Sequence, residues 1–232
     1  ATVIDNLLLD PPRRVQAQKR LAQVTANLRA LEVIDERGAQ VTGQVIGQLR
    51  GIDGLFVYYC LMNRDLTEED CRELCEYLCD HDVIQKLLLR KELEARREWI
   101  LARLRERRRE QPQTSWEDVE AEYEQQFPRE LGPIELLHNE FLGRLPHPEL
   151  HGGKQAKEIW KTLAAEDVSF MDFVEQHHLA MEEGNLFSYL SRVMKIARAL
   201  KEATGLSEFG ALETLIRQKL AAVDDRVLAE LG

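Results

Sequence analysis

Five apolar residues, Leu186, Leu190, Val193, Ala197 and Leu200, recur four and three positions apart, which is the spacing of one buried seam on an α-helix. A seam of that length needs other helices to cover it, so it commits the surrounding chain to a bundle. Arg192, Lys195 and Arg198 fall on a neighbouring arc, giving the same helix an apolar side for the protein and a cationic side for something else. Just upstream, Ser169 can cap a short helix, with Asp172 completing an approximate capping box and Phe170, Phe173 and Val174 supplying apolar contacts. Glu183 and Gly184, inside the stretch Glu182-Glu183-Gly184-Asn185, interrupt the pattern and predict a structural hinge where the two helices meet.

The rest of the chain reads as helix after helix. Pro11-Pro12 suits a helix entrance, and Val15, Leu21, Val24, Leu28 and Leu31 predict a buried stripe running to about Glu32. Val33-Ile34 and Gln40-Val41-Thr42 flank the turn Asp35-Glu36-Arg37-Gly38, and this tiny β-wing near residues 33–42 is the one strand candidate. Phe56-Val57-Tyr58-Tyr59 alone would suit a strand, but its neighbours favour a buried helix. Thr67 followed by Glu68, Glu69 and Asp70 marks a helix start, and the helix it opens carries Cys71, Cys75 and Cys79 on one face.

Val83 to Glu110 reads as one long helix with ten Lys or Arg against five Glu, although the whole chain of 232 residues carries a net charge of -10. The segment is a cationic rod in an acidic protein. Beyond Pro112 the sequence turns acidic, with Ser115 as a cap for a helix through Phe127, and an acidic helix folding back on the rod would cancel its charge. Further helices are expected from Leu131 to Leu145, from His151 to about Ala165 and from Ser207 to Ala222. The predicted architecture is an all-α multi-helix bundle in three segments: an N-terminal helical subregion over 1–82 with a winged-helix-like start, the long basic helix over 83–112, and a C-terminal helical bundle over 113–232.

A mixture of 44% apolar and 31% charged residues suits a folded helical protein. There is no run of the length of a membrane span and no basic-then-apolar leader at the start, which predicts a cytoplasmic, intracellular protein without a membrane partner. Four cysteines, three of them at four-residue steps, lack the spacing of a secreted disulfide framework and fit a reducing compartment.

The succession of Ser169, Phe170 and Phe173, then Glu183-Gly184-Asn185-Leu186, then a long helix with a basic residue at Arg192, resembles the C-terminal helical region of the superkiller-like, exosome-associated DExH-box RNA helicases of superfamily two. Leu28 to Asp35, followed by Val41-Thr42 and a second helix, is similar to the approach to that region. Ser188 stands where the family usually has arginine, and Gly43 and Val45 depart from its usual proline and glycine. The resemblance implies a noncatalytic region that lines or supports the RNA path of an ATP-dependent helicase. RNA and the motor domains, in the same or another chain, would be its partners, and Arg192, Lys195 and Arg198 its nucleic-acid-binding residues.

Catalytic motifs point the same way. A motor needs a GxxxxGK[ST] phosphate loop, and His151-Gly152-Gly153-Lys154 lacks the earlier glycine and the following hydroxyl residue, so no catalytic residue and no cofactor are expected in this chain. Two other readings stay open. One is a stand-alone helical adaptor that binds another protein. The other is a di-iron carboxylate enzyme, suggested by Glu135-x-x-His138 and Glu175-x-x-His178 with Glu98 and Glu158. Against it, glutamate is abundant and the second pair sits near a helix end, so no metal ligands are assigned. Cys71, Cys75 and Cys79 extend too far along one axis to close on a single ion and read as buried small apolar residues. Trp99, Trp116 and Trp160 are expected to pack within the protein.

Overall fold

The computed structural model describes residues 10–40, 44–49, 52–79, 82–128, 131–151, 168–221 and 223. Among these residues ten α-helices and one 3-10 turn follow one another. In chain order they are α1 (Pro11–Ala30), α2 (Gln44–Gln48), α3 (Gly54–Asn63), α4 (Glu68–Leu78), α5 (Asp82–Glu110), α6 (Trp116–Gln126) and α7 (Pro133–Arg144). The 3-10 turn Pro148–Leu150 comes next, followed by α8 (Phe170–Gln176), α9 (Glu183–Thr204) and α10 (Ser207–Ala221). The expected wing reduces to one isolated antiparallel bridge between Ile34 and Gln40, with no strand among the described residues. Val41 and Thr42 lie outside them, as do Glu158, Trp160 and the helix expected after His151.

The helix starts follow from local chemistry. Thr67, Ser115 and Ser169 each form a complete capping box with the aspartate three residues on, so orphan N–H groups are satisfied from both directions. At α4 the box is buried. Asp70 is 1% exposed and takes hydrogen bonds from the Thr67 amide (2.9 Å), the Thr67 hydroxyl (2.8 Å) and Arg64 Nε (3.0 Å). Burial alone would raise its pKa, but Arg64 and Thr67 outweigh it and hold the carboxyl below the usual aspartate range.

The main core is one apolar cluster that draws on residues from Val33 to Leu220, so segments on both sides of the long basic helix share it. The apolar run of α3 is buried from Leu55 to Cys60, which explains why it lacks a polar face. Phe56, Tyr77, His138 and Phe141 stack across α3, α4 and α7 with ring centroids 4.7–5.8 Å apart. His138 is 3% exposed, its Nδ1 lies 2.7 Å from the Tyr77 hydroxyl, and burial lowers its pKa.

A second buried carboxylate fixes α7. Its N-cap is Gly132, which has no side chain to cap with. Glu73 of α4 supplies the missing acceptor, with Oε1 3.1 Å from the Ile134 amide and 3.2 Å from the Glu135 amide. The close approach requires the glycine, since a Cβ at position 132 would stand 2.2 Å from that oxygen.

The first helix departs from expectation. Val15, Leu21 and Val24 are 65%, 43% and 39% exposed, and only Leu28 and Leu31, near its C-terminal end, pack against the core. The stripe is helical, but the described residues do not cover its N-terminal half. Asn27, fully buried, ties this helix to the chain near the 3-10 turn, donating to the His147 carbonyl (2.8 Å) and accepting from the His147 amide (2.9 Å).

Candidate nucleic-acid interface

The helix α9 is the packed centre of the bundle and touches α2, α4, α5 and α10. All five seam residues, Leu186, Leu190, Val193, Ala197 and Leu200, are 0% exposed, as are Tyr189 and Met194, so the buried face is broader than the seam. The Tyr189 hydroxyl is satisfied inside by Glu76 Oε1 at 3.0 Å. On the opposite arc Arg192 and Lys195 are exposed. Arg198 is half-buried and turns sideways to α10, where its Nε donates to Glu213 Oε1 at 2.9 Å.

Glu213 gathers further cations. Arg217 Nη2 lies 3.6 Å from its Oε1 and Lys201 Nζ lies 3.9 Å from its Oε2. The α9–α10 corner makes this possible. Gly205 closes α9 with φ 76° in the left-handed region, donating its N–H to the Lys201 carbonyl, and α10 starts two residues on. The Lys201 side chain then crosses α10 at Gly210, where a Cβ would come within 3.0 Å of Lys201 Cε. Sequence reading placed Arg198 on the cationic arc without finding Lys201 or Arg217. The one available signal was the Glu213 and Arg217 pair, four residues apart on one helix face.

The corner between α8 and α9 lies earlier than expected. Glu183 and Gly184 belong to the first turn of α9, and the chain reverses over His177 to Glu182, where His178 (φ 51°) and Met181 (φ 76°) take left-handed conformations. Two features hold this turn. Leu179 is 0% exposed, and Lys91 of α5 donates to the carbonyls of His177 (2.5 Å) and His178 (2.8 Å).

Three arginines of the cationic rod are paired with acids of α6. The acidic α6 lies on α5, with Arg96 bound to Glu120 and Glu124, and Arg103 and Arg107 both bound to Glu122, at 2.8–2.9 Å. Ile100, Leu104 and Val119 form a separate small core, with Trp99, Trp116 and Tyr123 packed on it. Glu122 sits below the usual glutamate range because Arg103 hydrogen-bonds it, with Arg107 adding to the effect.

The di-iron ligand set is not assembled by the described residues. His138 is committed to Tyr77 in the aromatic core, while Glu98, Glu175 and His178 are exposed. No group of three His, Cys, Asp or Glu side chains among the described residues is placed to hold a metal ion. The four cysteines are buried and unbridged, and burial pushes the Cys71 thiol up to about 12 and raises those of Cys60 and Cys75. His151 Nδ1 lies 2.6 Å from Asp53 Oδ2, the carboxylate whose other oxygen caps α3. No described helix is long and apolar enough to cross a membrane.

No family model, curated protein or solved structure matches the chain. What the site can do therefore rests on its own chemistry. It is a helix, buried on one side, that presents guanidinium and ammonium groups on the other.

Proposed function

We propose that this chain is a noncatalytic helical region of a superkiller-like, ATP-dependent RNA helicase, supporting the RNA path with the outer arc of α9 while motor domains elsewhere hydrolyse ATP. The observation that carries this reading is the sidedness of α9. Its apolar seam is fully buried, and Arg192 and Lys195 stand exposed on the opposite arc of a protein whose net charge is -10. Cations on a helix whose backbone is already ordered bind phosphates without a further backbone-ordering cost. On α5, Arg96, Arg103 and Arg107 are bound by Glu120, Glu122 and Glu124 of α6.

The test is single-stranded RNA binding as a function of salt. Replacing Arg192, Lys195 and Arg198 together by glutamine should weaken binding and reduce the slope of log K against log salt by about 2, from about 0.7 per phosphate neutralised on a single strand. Unchanged affinity and slope in a variant with native circular dichroism would refute the reading.

A second reading, a helical adaptor for another protein, is favoured by the apolar residues Val15, Leu21 and Val24 on α1, which the described residues leave exposed. It would stand if the triple variant left RNA binding unaltered and glutamate substitutions along α1 abolished association with a copurifying protein.

A further inference from the structure

We infer that α10 supplies a second phosphate subsite beside α9, in which Lys201, Arg217 and Arg198 receive a phosphodiester group of single-stranded RNA and Glu213 holds the three cations in place until it arrives. The inference rests on the RNA reading of α9 and extends the interface to a helix which that reading leaves out.

Three cations converge on one carboxylate. Arg198 Nε and Arg217 Nη2 both approach Glu213 Oε1, at 2.9 and 3.6 Å, and Lys201 Nζ approaches Oε2 at 3.9 Å. One acid neutralises one charge, so the cluster keeps two positive charges in excess. Only the Arg198 contact has the length of a good hydrogen bond, and the other two groups are held by charge at longer range. Donor capacity is therefore left over, since a guanidinium carries five N–H donors and an ammonium three.

The cluster is also built rather than scattered. The side chain of Glu213 is 15% exposed, while those of Arg198, Arg217 and Lys201 are 30%, 42% and 50% exposed, so the acid lies beneath and the cations reach outward from it. Gly210 leaves the space in which Lys201 lies across α10, and a Cβ there would meet the Cδ, Cε and Nζ atoms at 3.0–3.2 Å. Along α9, Arg192 and Lys201 are separated by about 14 Å of helix rise, at 1.5 Å per residue. Nine residues at about 100° each also turn Lys201 about 180° round α9 from Arg192, so the subsite lies on the flank of α9 that faces α10 and is reached from Arg192 by way of Lys195 and Arg198. Glu202 on α9 is exposed, and Glu208 on α10 is half-exposed and beside Ser207, so two further acids lie near the cluster in sequence.

The two non-bridging oxygens of a phosphodiester can bridge a planar fork and an ammonium at once. Glu213 already occupies one face of that fork, which makes it the competitor that sets affinity. Its removal and the removal of the cations should therefore act in opposite directions.

The experiment is a salt titration of a mixed-sequence single-stranded RNA oligonucleotide against the full chain and four variants, each checked by circular dichroism and melting temperature. K201Q/R217Q is expected to reduce the slope of log K against log salt by about 1.4, and R217K, which keeps the charge, to restore most of the loss when combined with native Lys201. E213Q, which keeps the carbonyl acceptor for Arg198, is expected to tighten binding severalfold at low salt and steepen the slope by about 0.7. R192Q/K195Q reports on α9 alone. If that variant weakens binding while K201Q/R217Q and E213Q leave affinity and slope unchanged, the α10 subsite is overturned and the α9 reading survives. If no variant changes binding, both fall.

Discussion

Replacing Gly132 by alanine tests whether a buried acid on α4 holds α7 in place. The backbone at this position, φ -65° and ψ 159°, is open to any residue, so conformational strain is not the expected cost. The cost comes from Glu73. An added Cβ would lie 2.2 Å from Oε1 and 2.7 Å from Cδ, and the carboxylate must swing away. Rotating the end of a glutamate side chain is cheap, but here the motion abandons the amides of Ile134 and Glu135, and Ile134 is 0% exposed. Hydrogen bonds to a charged acceptor are worth about 1.5–3 kcal/mol each, and partial repair by water recovers some of that, so Gly132→Ala should cost about 3 kcal/mol. For a chain of this size that corresponds to a fall of about 6–12 °C in melting temperature.

A double-mutant cycle measured by calorimetry and urea denaturation isolates the cause. Glu73→Ala removes the same cap and should cost a similar amount, about 3 kcal/mol, whereas adding Gly132→Ala to it should cost less than about 1 kcal/mol, because the clash has gone. Glu73→Gln keeps an acceptor and gives up only the favourable charge at a helix N-terminus, about 1 kcal/mol. Additive costs for Gly132→Ala and Glu73→Ala would refute the reasoning.

Two further outcomes follow from the packing. His138 is buried neutral with a lowered pKa, so the unfolded chain takes up a proton that the folded one resists. Its contribution is fully present above the unfolded histidine value of about 6.5 and is lost as the pH falls from there through the folded value, and His138→Gln should flatten that part of a urea-stability profile between pH 7 and 5. Ile100→Ala, at a site 1% exposed, should cost about 2–4 kcal/mol within the small core of α5 and α6. Hydrogen exchange should then accelerate in α6 while the amides of α9 stay protected, and equal acceleration in both would show that the two cores unfold together.

The sequence was most legible where a signal and its response lie within one turn. Thr67, Ser115 and Ser169 open helices as read, because the capping aspartate is three residues away in each case. The seam of α9 was legible for the same reason, and the all-α class follows from it and its neighbours. The α8–α9 corner was misplaced because left-handed residues were sought at glycine and asparagine, whereas His178 and Met181 adopt that conformation under the pull of buried Leu179 and of Lys91, a residue from another helix. The Glu73 cap escaped reading altogether, since its hydrogen bond to Ile134 joins residues 61 apart. The stripe of α1 shows the converse limit. Its periodicity reports a helix with an apolar side, but periodicity contains nothing about what faces that side.

The separate core of the α5–α6 hairpin has a consequence for how such chains can vary. Ile84 and Leu88, near the start of α5, belong to the main core, while Ile100 and Leu104, further along, pack only with residues of the hairpin's own small cluster. One heptad added to each of the two helices would extend the reach of the hairpin by about 10 Å and leave the packing around α9 as it is. The same insertion in α9 would move one half of its seam out of register with α2, α4, α5 and α10. Length is thus a tolerant variable in one helix pair of this protein and an intolerant one at its centre.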